Sequence, residues 1–330
     1  MNKEYQILLF YCYADIKDPF SFKNTHHFFC IKNNIKGRII ISSEGINGTV
    51  SGKQKDCKKY MNELSNNKLF SEIDFKVEWS DLNAFNKINV RVKSEIVNSG
   101  LNSKDLLKNK GKYIEPKEFK SIIKNPPKDV TILDVRSNYE HKIGKFKNAV
   151  TLDIDNFRDF QSKISEIDDK IKKTDKVITY CTGGVKCEKA SAFLKENGYE
   201  NVYQLHGGII KYGIEEGGEN FDGKCYVFDE RIVKDVNSIN PIVIGKCYVT
   251  NQKTDRMVNC ANILCNKHFP LSNKGAKIFN GCCSEDCLKN GKVREFDGSG
   301  FYQKKLNGYN PYIGLDKSKF SKTTGKLFDS

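Results

Sequence analysis

Tyr180-Cys181-Thr182-Gly183-Gly184-Val185-Lys186-Cys187-Glu188-Lys189-Ala190 is the stretch around which the chain is read. It follows the β-branched run Val177-Ile178-Thr179-Tyr180 and leads into Ala190-Ser191-Ala192-Phe193-Leu194. A buried strand is therefore expected to deliver a cysteine into a glycine turn that opens a helix. Backbone N–H groups of the turn, the positive end of the helix and the Lys186 cation all favour an anion at Cys181. The thiol pKa should fall, which makes Cys181 a nucleophile or a sulfur carrier in an exposed loop. A cysteine that merely packs at a strand end is the plainer alternative. The succession of strand, cysteine, Gly-Gly, cation and helix speaks against it.

Cys181 to Lys186 resembles the six-residue active-site loop of rhodanese domains, and the continuation Cys187-Glu188-Lys189-Ala190 is similar to that of the rhodanese-containing tRNA uridine hydroxylases. A phosphatase of related fold closes a longer loop with arginine, and Cys187 stands at that position. The resemblance extends over most of the chain. It implies an enzyme that hydroxylates C5 of the wobble uridine of tRNA, with molecular oxygen as co-substrate and Cys181 as the essential thiol. Thr182, Gly183, Gly184, Val185, Lys186 and Cys187 would form the active-site loop, and Cys187 could resolve an oxidised Cys181 or pack beneath it. No flavin, haem or iron site is evident. A sulfurtransferase that moves persulfide sulfur and a non-catalytic RNA-binding protein are the competing classes.

With 330 residues the chain is long enough for two or three domains. No run of 18 apolar residues exists and the start reads as a strand, so a soluble, cytoplasmic protein is expected, with no membrane partner. Twelve cysteines in a chain of this size fit thiol chemistry or metal in a reducing compartment better than a disulfide scaffold. A net charge of +14 suits a polyanion such as tRNA. Lysine is spread along the whole chain, however, so charge alone does not exclude a compositional bias.

The fold class expected is multidomain α/β and α+β. Residues 1–98 read as a ferredoxin-like domain of order βαββαβ, with strands at 5–13, 38–42 and 47–51, helices at 19–34 and 55–66, and an extended segment at 87–97. Within it, Glu44-Gly45-Ile46-Asn47-Gly48-Thr49-Val50-Ser51-Gly52 is a glycine-rich hairpin that could approach a phosphate. Arg38, Glu44, Asn47 and Lys53, with Arg91 near them, are the candidate RNA-binding residues; the alternative is a hairpin whose glycines serve only the turn. Residues 99–126 read as a linker and the first helix of a rhodanese-like parallel α/β domain at 127–217. The strand Val130–Arg136 presents Asp134 and Arg136 at its carboxyl end, where Asp134 reads as structural and Arg136 could also hold an anionic substrate.

Ser137-Asn138-Tyr139-Glu140 continues the rhodanese resemblance, and Lys145 stands where many rhodaneses carry histidine. His206 precedes a Gly-Gly turn, which is a fold signature and argues against a catalytic base. Asn220 to Arg231 resembles a further segment of the hydroxylases. Residues 218–303 form a Cys-rich region in which Cys260 with Cys265, and Cys282 or Cys283 with Cys287, would make two ligand pairs for a structural zinc. No Cys-x2-Cys pair exists, so reduced packed cysteines or disulfides compete with zinc for Cys260, Cys265, Cys282 and Cys287. Residues 304–330 read as a basic flexible tail.

Overall fold

The structure is a computed structural model that describes residues 3–101, 107–296 and 298. Strand β1 (Tyr5–Tyr13), helix α1 (Pro19–Lys32), β2 (Lys36–Ser42), β3 (Gly45–Lys53), α2 (Gln54–Ser65), β4 (Lys76–Ser80) and β5 (Ile88–Val92) make up the first domain. Asp18 starts α1 by accepting from the N–H groups of Phe20 and Ser21, with Pro19 at the first helical position. The strands lie in the order β4-β1-β3-β2-β5.

This ferredoxin-like arrangement corrects the sequence reading in two ways. The closing strand of the motif is β4, whose polar sequence Lys-Val-Glu-Trp-Ser hid it, and it pairs antiparallel with β1. The segment read as that strand instead forms β5, which runs parallel to β2 as a fifth strand. Leu8, Phe10, Ile39, Ile41 and Val50 pack one sheet face against Cys30 of α1 and Cys57, Tyr60 and Leu64 of α2. The opposite face carries Leu9, Tyr11 and Tyr13 of β1, with Lys76 beside Leu9 in register.

The second sheet has the order β6-β11-β10-β7-β9. It contains β6 (Lys112–Ile114), β7 (Val130–Asp134), β9 (Val150–Thr151), β10 (Lys176–Tyr180) and β11 (Asn201–Leu205), after the intervening β8 (Gly144–Phe146), and its pairings are parallel. Helices α3 (Pro116–Lys124), α4 (Asn138–His141), α5 (Ile164–Lys170), α6 (Val185–Glu196) and α7 (Gly208–Glu216) connect them. Alternate residues of β10 serve two cores. Ile178 and Tyr180 join Phe119 of α3 and Ile209 of α7, whereas Val177 joins Ala190 and Leu194 of α6. The parallel sheet is thus covered on both faces, and Cys225, Val227 and Val236 from β12 (Phe221–Tyr226), β13 (Val233–Asp235) and their flanks extend the first core.

Both sheets belong to one compact unit, which includes Cys225–Pro241; a second unit holds Ile242 onward with two short earlier segments. The second unit contains the antiparallel pair β14 (Met257–Asn259) and β15 (His268–Pro270), then α8 (Asn273–Ile278) and α9 (Glu285–Lys289). Its small core is Val258, Phe269, Leu271 and Ala276 with Cys247, Cys260, Cys282 and Cys283. The basic tail at 304–330 lies outside the described residues. Among the described residues no helix is long and apolar enough to cross a membrane.

Candidate active site and metal centre

Register places Tyr180, the last residue of β10, opposite Asp134 of β7, so the chain leaves the sheet at Cys181 beside the end of β7. The turn then needs a backbone that only glycine adopts readily: Gly184 sits at φ +102° and caps the start of α6. The Gly184 N–H donates to the Cys181 Sγ at 3.1 Å, and the Cys187 N–H donates to the Gly184 carbonyl at 2.9 Å. Burial opposes an anion at Cys181. The hydrogen bond from Cys187, the Lys186 ammonium and the N–H groups of Lys186 and Gly184 outweigh it and bring the thiol down to about 6. Cys187 is driven the other way, by burial and by donating to that thiolate.

Contrary to the expectation of an exposed loop, Cys181 is 1 % exposed. The open face of the first sheet supplies the cover. A Cβ on Gly183 would meet the Leu9 side chain at 2.8 Å, and one on Gly184 would meet the Tyr11 hydroxyl at 2.9 Å. The Tyr13 hydroxyl donates to the Val185 carbonyl at 3.3 Å. Lys76 is buried on the same face with its ammonium 5.0 Å from the Tyr11 ring and 3.1 Å from Asp74. Burial lowers the Lys76 pKa despite that carboxylate, and the Cys181 charge acts in the opposite sense.

Lys186 has a partner that sequence reasoning did not assign. Its ammonium is 2.6 Å from the fully buried Glu140 carboxylate. Glu140 also accepts from the Ser137 N–H at 3.1 Å and from the Thr182 hydroxyl at 3.4 Å, so it ties both ends of the loop to α4. Glu188 collects the hydroxyls of Tyr11 (2.8 Å) and Tyr113 (2.6 Å) and the Lys110 ammonium (3.0 Å). Lys189, wholly buried, reaches Glu95 at 2.7 Å and Glu44 at 3.1 Å. The Glu-Lys pair after the loop therefore fastens the first domain to α6.

Several sequence candidates are engaged elsewhere. Asp134 and Arg136 are completely buried and paired through two contacts, Nε to Oδ1 at 2.9 Å and Nη2 to Oδ2 at 2.7 Å. The Tyr180 hydroxyl donates to Asp134 at 2.6 Å. Burial works against the Asp134 charge, but Arg136 and Tyr180 hold the carboxyl below its ordinary range. The pair pins the end of β7 to Tyr180 of β10, and Arg136 lies as deeply buried as Cys181. Glu44 binds the Ile96 N–H at 2.7 Å in addition to Lys189, and the Asn47 amide donates to the Ile96 carbonyl at 2.9 Å. Both serve internal structure. Lys53 pairs with Glu4 at 2.5 Å, and Arg38 is exposed while donating to the Phe228 carbonyl at 3.0 Å. His206 binds Glu115 at 2.7 Å and lies 4.8 Å from the Tyr113 ring.

In the second unit, Cys260, Cys265, Cys283 and Cys287 bring four sulfurs within 4.8 Å of one another. Of the adjacent Cys282 and Cys283 between which the sequence reading left the choice open, Cys283 joins the set. All twelve cysteines are free thiols in the structure. Four thiolates at 2.3 Å from a zinc would stand about 3.8 Å apart along a tetrahedron's edges. The Cys265–Cys283 and Cys283–Cys287 sulfurs are separated by 3.8 Å and 3.6 Å. A metal ion fits this set.

A parallel α/β sheet that presents an ionised cysteine in a glycine turn at a helix start defines a rhodanese-type thiol protein, and residues 115–215 match the Rhodanese-like domain model. Residues 5–96 match the UPF0176 acylphosphatase like domain and residues 222–288 the Rhodanase C-terminal model. A protein named tRNA uridine(34) hydroxylase from Cytophaga hutchinsonii is 54 % identical over 96 % of this chain and 100 % of its own length. Proteins of the same name from Staphylococcus haemolyticus and Listeria welshimeri are each 43 % identical, over 88 % and 86 % of this chain and 91 % and 89 % of theirs. The chain belongs to the tRNA uridine(34) hydroxylase family.

Proposed function

We propose that this protein hydroxylates C5 of the wobble uridine of tRNA in the cytoplasm, with Cys181 as its reactive thiol and molecular oxygen as co-substrate. The observation that carries the reading is the Cys181 sulfur, held by the Gly184 N–H at 3.1 Å in a glycine turn at the start of α6, in a chain of the tRNA uridine(34) hydroxylase family. A thiolate that adds to C6 of uracil forms a C–S bond and pushes the C5–C6 electron pair toward O4 as an enolate. C5 then becomes electron-rich and open to an electrophilic oxygen; loss of the C5 proton and departure of the thiolate restore the double bond. The loop's N–H groups are the donors available to an oxyanion that develops there.

Replacing C5–H with C5–OH removes two electrons from the ring. With oxygen as oxidant, the second oxygen atom leaves as water on two further electrons, which Cys181 and Cys187 supply by closing to a disulfide. A cellular thiol then reduces that disulfide. In the second unit, Cys260, Cys265, Cys283 and Cys287 hold a structural zinc, the usual ion of a closed four-thiolate site.

Nucleoside analysis of tRNA from cells lacking the gene, complemented with wild type or Cys181→Ser, tests the activity. Restoration of 5-hydroxyuridine-derived nucleosides by wild type alone is the expected result. Loss of 2-thiouridine with those nucleosides intact would instead make the protein a sulfurtransferase, and no change in either would leave only RNA binding.

A further inference from the structure

Beyond Lys186, the last residue of the Cys181 loop, lies an aromatic ring that the proposed chemistry does not use. The Lys186 ammonium stands 5.8 Å from the centroid of Phe228. Phe228 leaves 43 % of its surface open although both its neighbours, Val227 and Asp229, are buried. It is not an isolated surface residue. Its ring meets the edge of Tyr226 at 5.3 Å and 76°, and Tyr226 meets Tyr139 at 5.0 Å and 78°. The run of rings thus begins on α4, which carries Glu140, and ends at the open face of Phe228.

The first domain fixes this ring in place. Arg38, an exposed residue, donates one of its guanidinium N–H groups to the Phe228 carbonyl at 3.0 Å, and that planar group carries further N–H donors. Arg91 is exposed on the neighbouring strand and shares the sheet face. The β2–β5 register sets Arg38 beside Asn89, and the Arg91 Nε donates to the Asn89 side chain at 3.1 Å. A rigid ring flanked by cations is the arrangement that holds single-stranded nucleic acid, with the ring taking a base face and guanidinium groups taking phosphates.

We infer that Phe228 is a stacking platform for an unpaired nucleotide of the RNA that enters the Cys181 loop, with Arg38 and Arg91 on the adjoining phosphates. The inference rests on tRNA being the substrate, and it gives the segment Asn220 to Arg231 a binding role.

The test is fluorescence anisotropy of full-length protein with a labelled anticodon stem-loop RNA that carries uridine at the wobble position. Thermal melting checks that each variant is folded. Phe228→Ala should weaken binding about tenfold, the usual worth of one base–aromatic stack. Phe228→Trp should restore it, because a larger π-face serves equally well. Arg91→Ala should lower the slope of log affinity against log salt by about one phosphate's share. Wild-type affinity in Phe228→Ala, or equal losses in the alanine and tryptophan variants, would overturn the platform. Failure of the wild-type protein to bind the RNA would instead overturn the substrate reading.

Discussion

Several donors converge on the Cys181 sulfur, and the thiol of Cys187 is one that a single substitution removes. The thiolate absorbance lost in Cys181→Ser should titrate near pH 6 in the wild-type protein, and Cys187→Ala should move that midpoint up toward the ordinary thiol value of about 8.5. The sign follows from the direction of the shift. A lowered pKa keeps the anion, and the stability linked to it, above the ordinary thiol range, and both are lost as pH falls through about 6. Activity should therefore decline on the acid side of pH 6; a midpoint near 9 would remove the convergence argument. Mild peroxide should join Cys181 to Cys187, detectable as a linked peptide by mass spectrometry. Sulfinic acid on Cys181 alone would make Cys187 a packing residue. Cys181→Ser should abolish the modification and lower the melting temperature at alkaline pH, where the stability linked to the thiolate is lost, while unfolding stays cooperative.

At the level of elements, α6 does two things within its first two turns: it presents the loop and then binds the first domain through Glu188 and Lys189. Lys189→Met leaves Glu44 and Glu95 without their cation in a largely dry setting, which costs about 3–5 kcal/mol when a buried pair loses one partner. Denaturant unfolding should show a loss of that size, and a cost below ~1 kcal/mol would mean that water already screens the pair. The strand–turn–helix around Cys181 was readable because its signals are local: a β-branched run, two glycines and a helical continuation. Strand β1 carried a further sign. Leu8, Phe10 and Cys12 alternate with Leu9, Tyr11 and Tyr13, so both faces are apolar or aromatic and both must be covered. The covering partner is 172 residues away in sequence for Tyr13 and Val185, a distance that no local pattern spans. Strand β4 was missed because its buried lysine looks like solvated charge, and Glu140 because its partners Thr182 and Lys186 lie on another element. Spacing named a cysteine quartet but could not choose between adjacent Cys282 and Cys283, since the backbone turn decides which sulfur joins the set.

For the molecule as a whole, the second unit is small, and its core is built partly of sulfur. Metal analysis of purified protein should find about one zinc per chain. Cys283→Ser should release it while Cys282→Ser retains it, and the reverse pattern would exclude the proposed ligand set. Chelation should lower the melting temperature, because a structural metal site is also part of the folding free energy. The charge of +14 makes a second expectation global: tRNA affinity should fall steeply with salt, and removal of residues 304–330 should reduce that slope. An affinity indifferent to both would make the charge compositional. The cover that β1 lays over Cys181 bears on how the thiol withstands oxidants in solution. A thiol ionised near pH 6 is the form most easily over-oxidised, yet only 1 % of this residue meets solvent. Dissolved peroxide should spoil the resting protein slowly, and RNA that parts β1 from the loop should make the same thiol vulnerable, so substrate binding doubles as the moment of greatest risk of irreversible inactivation.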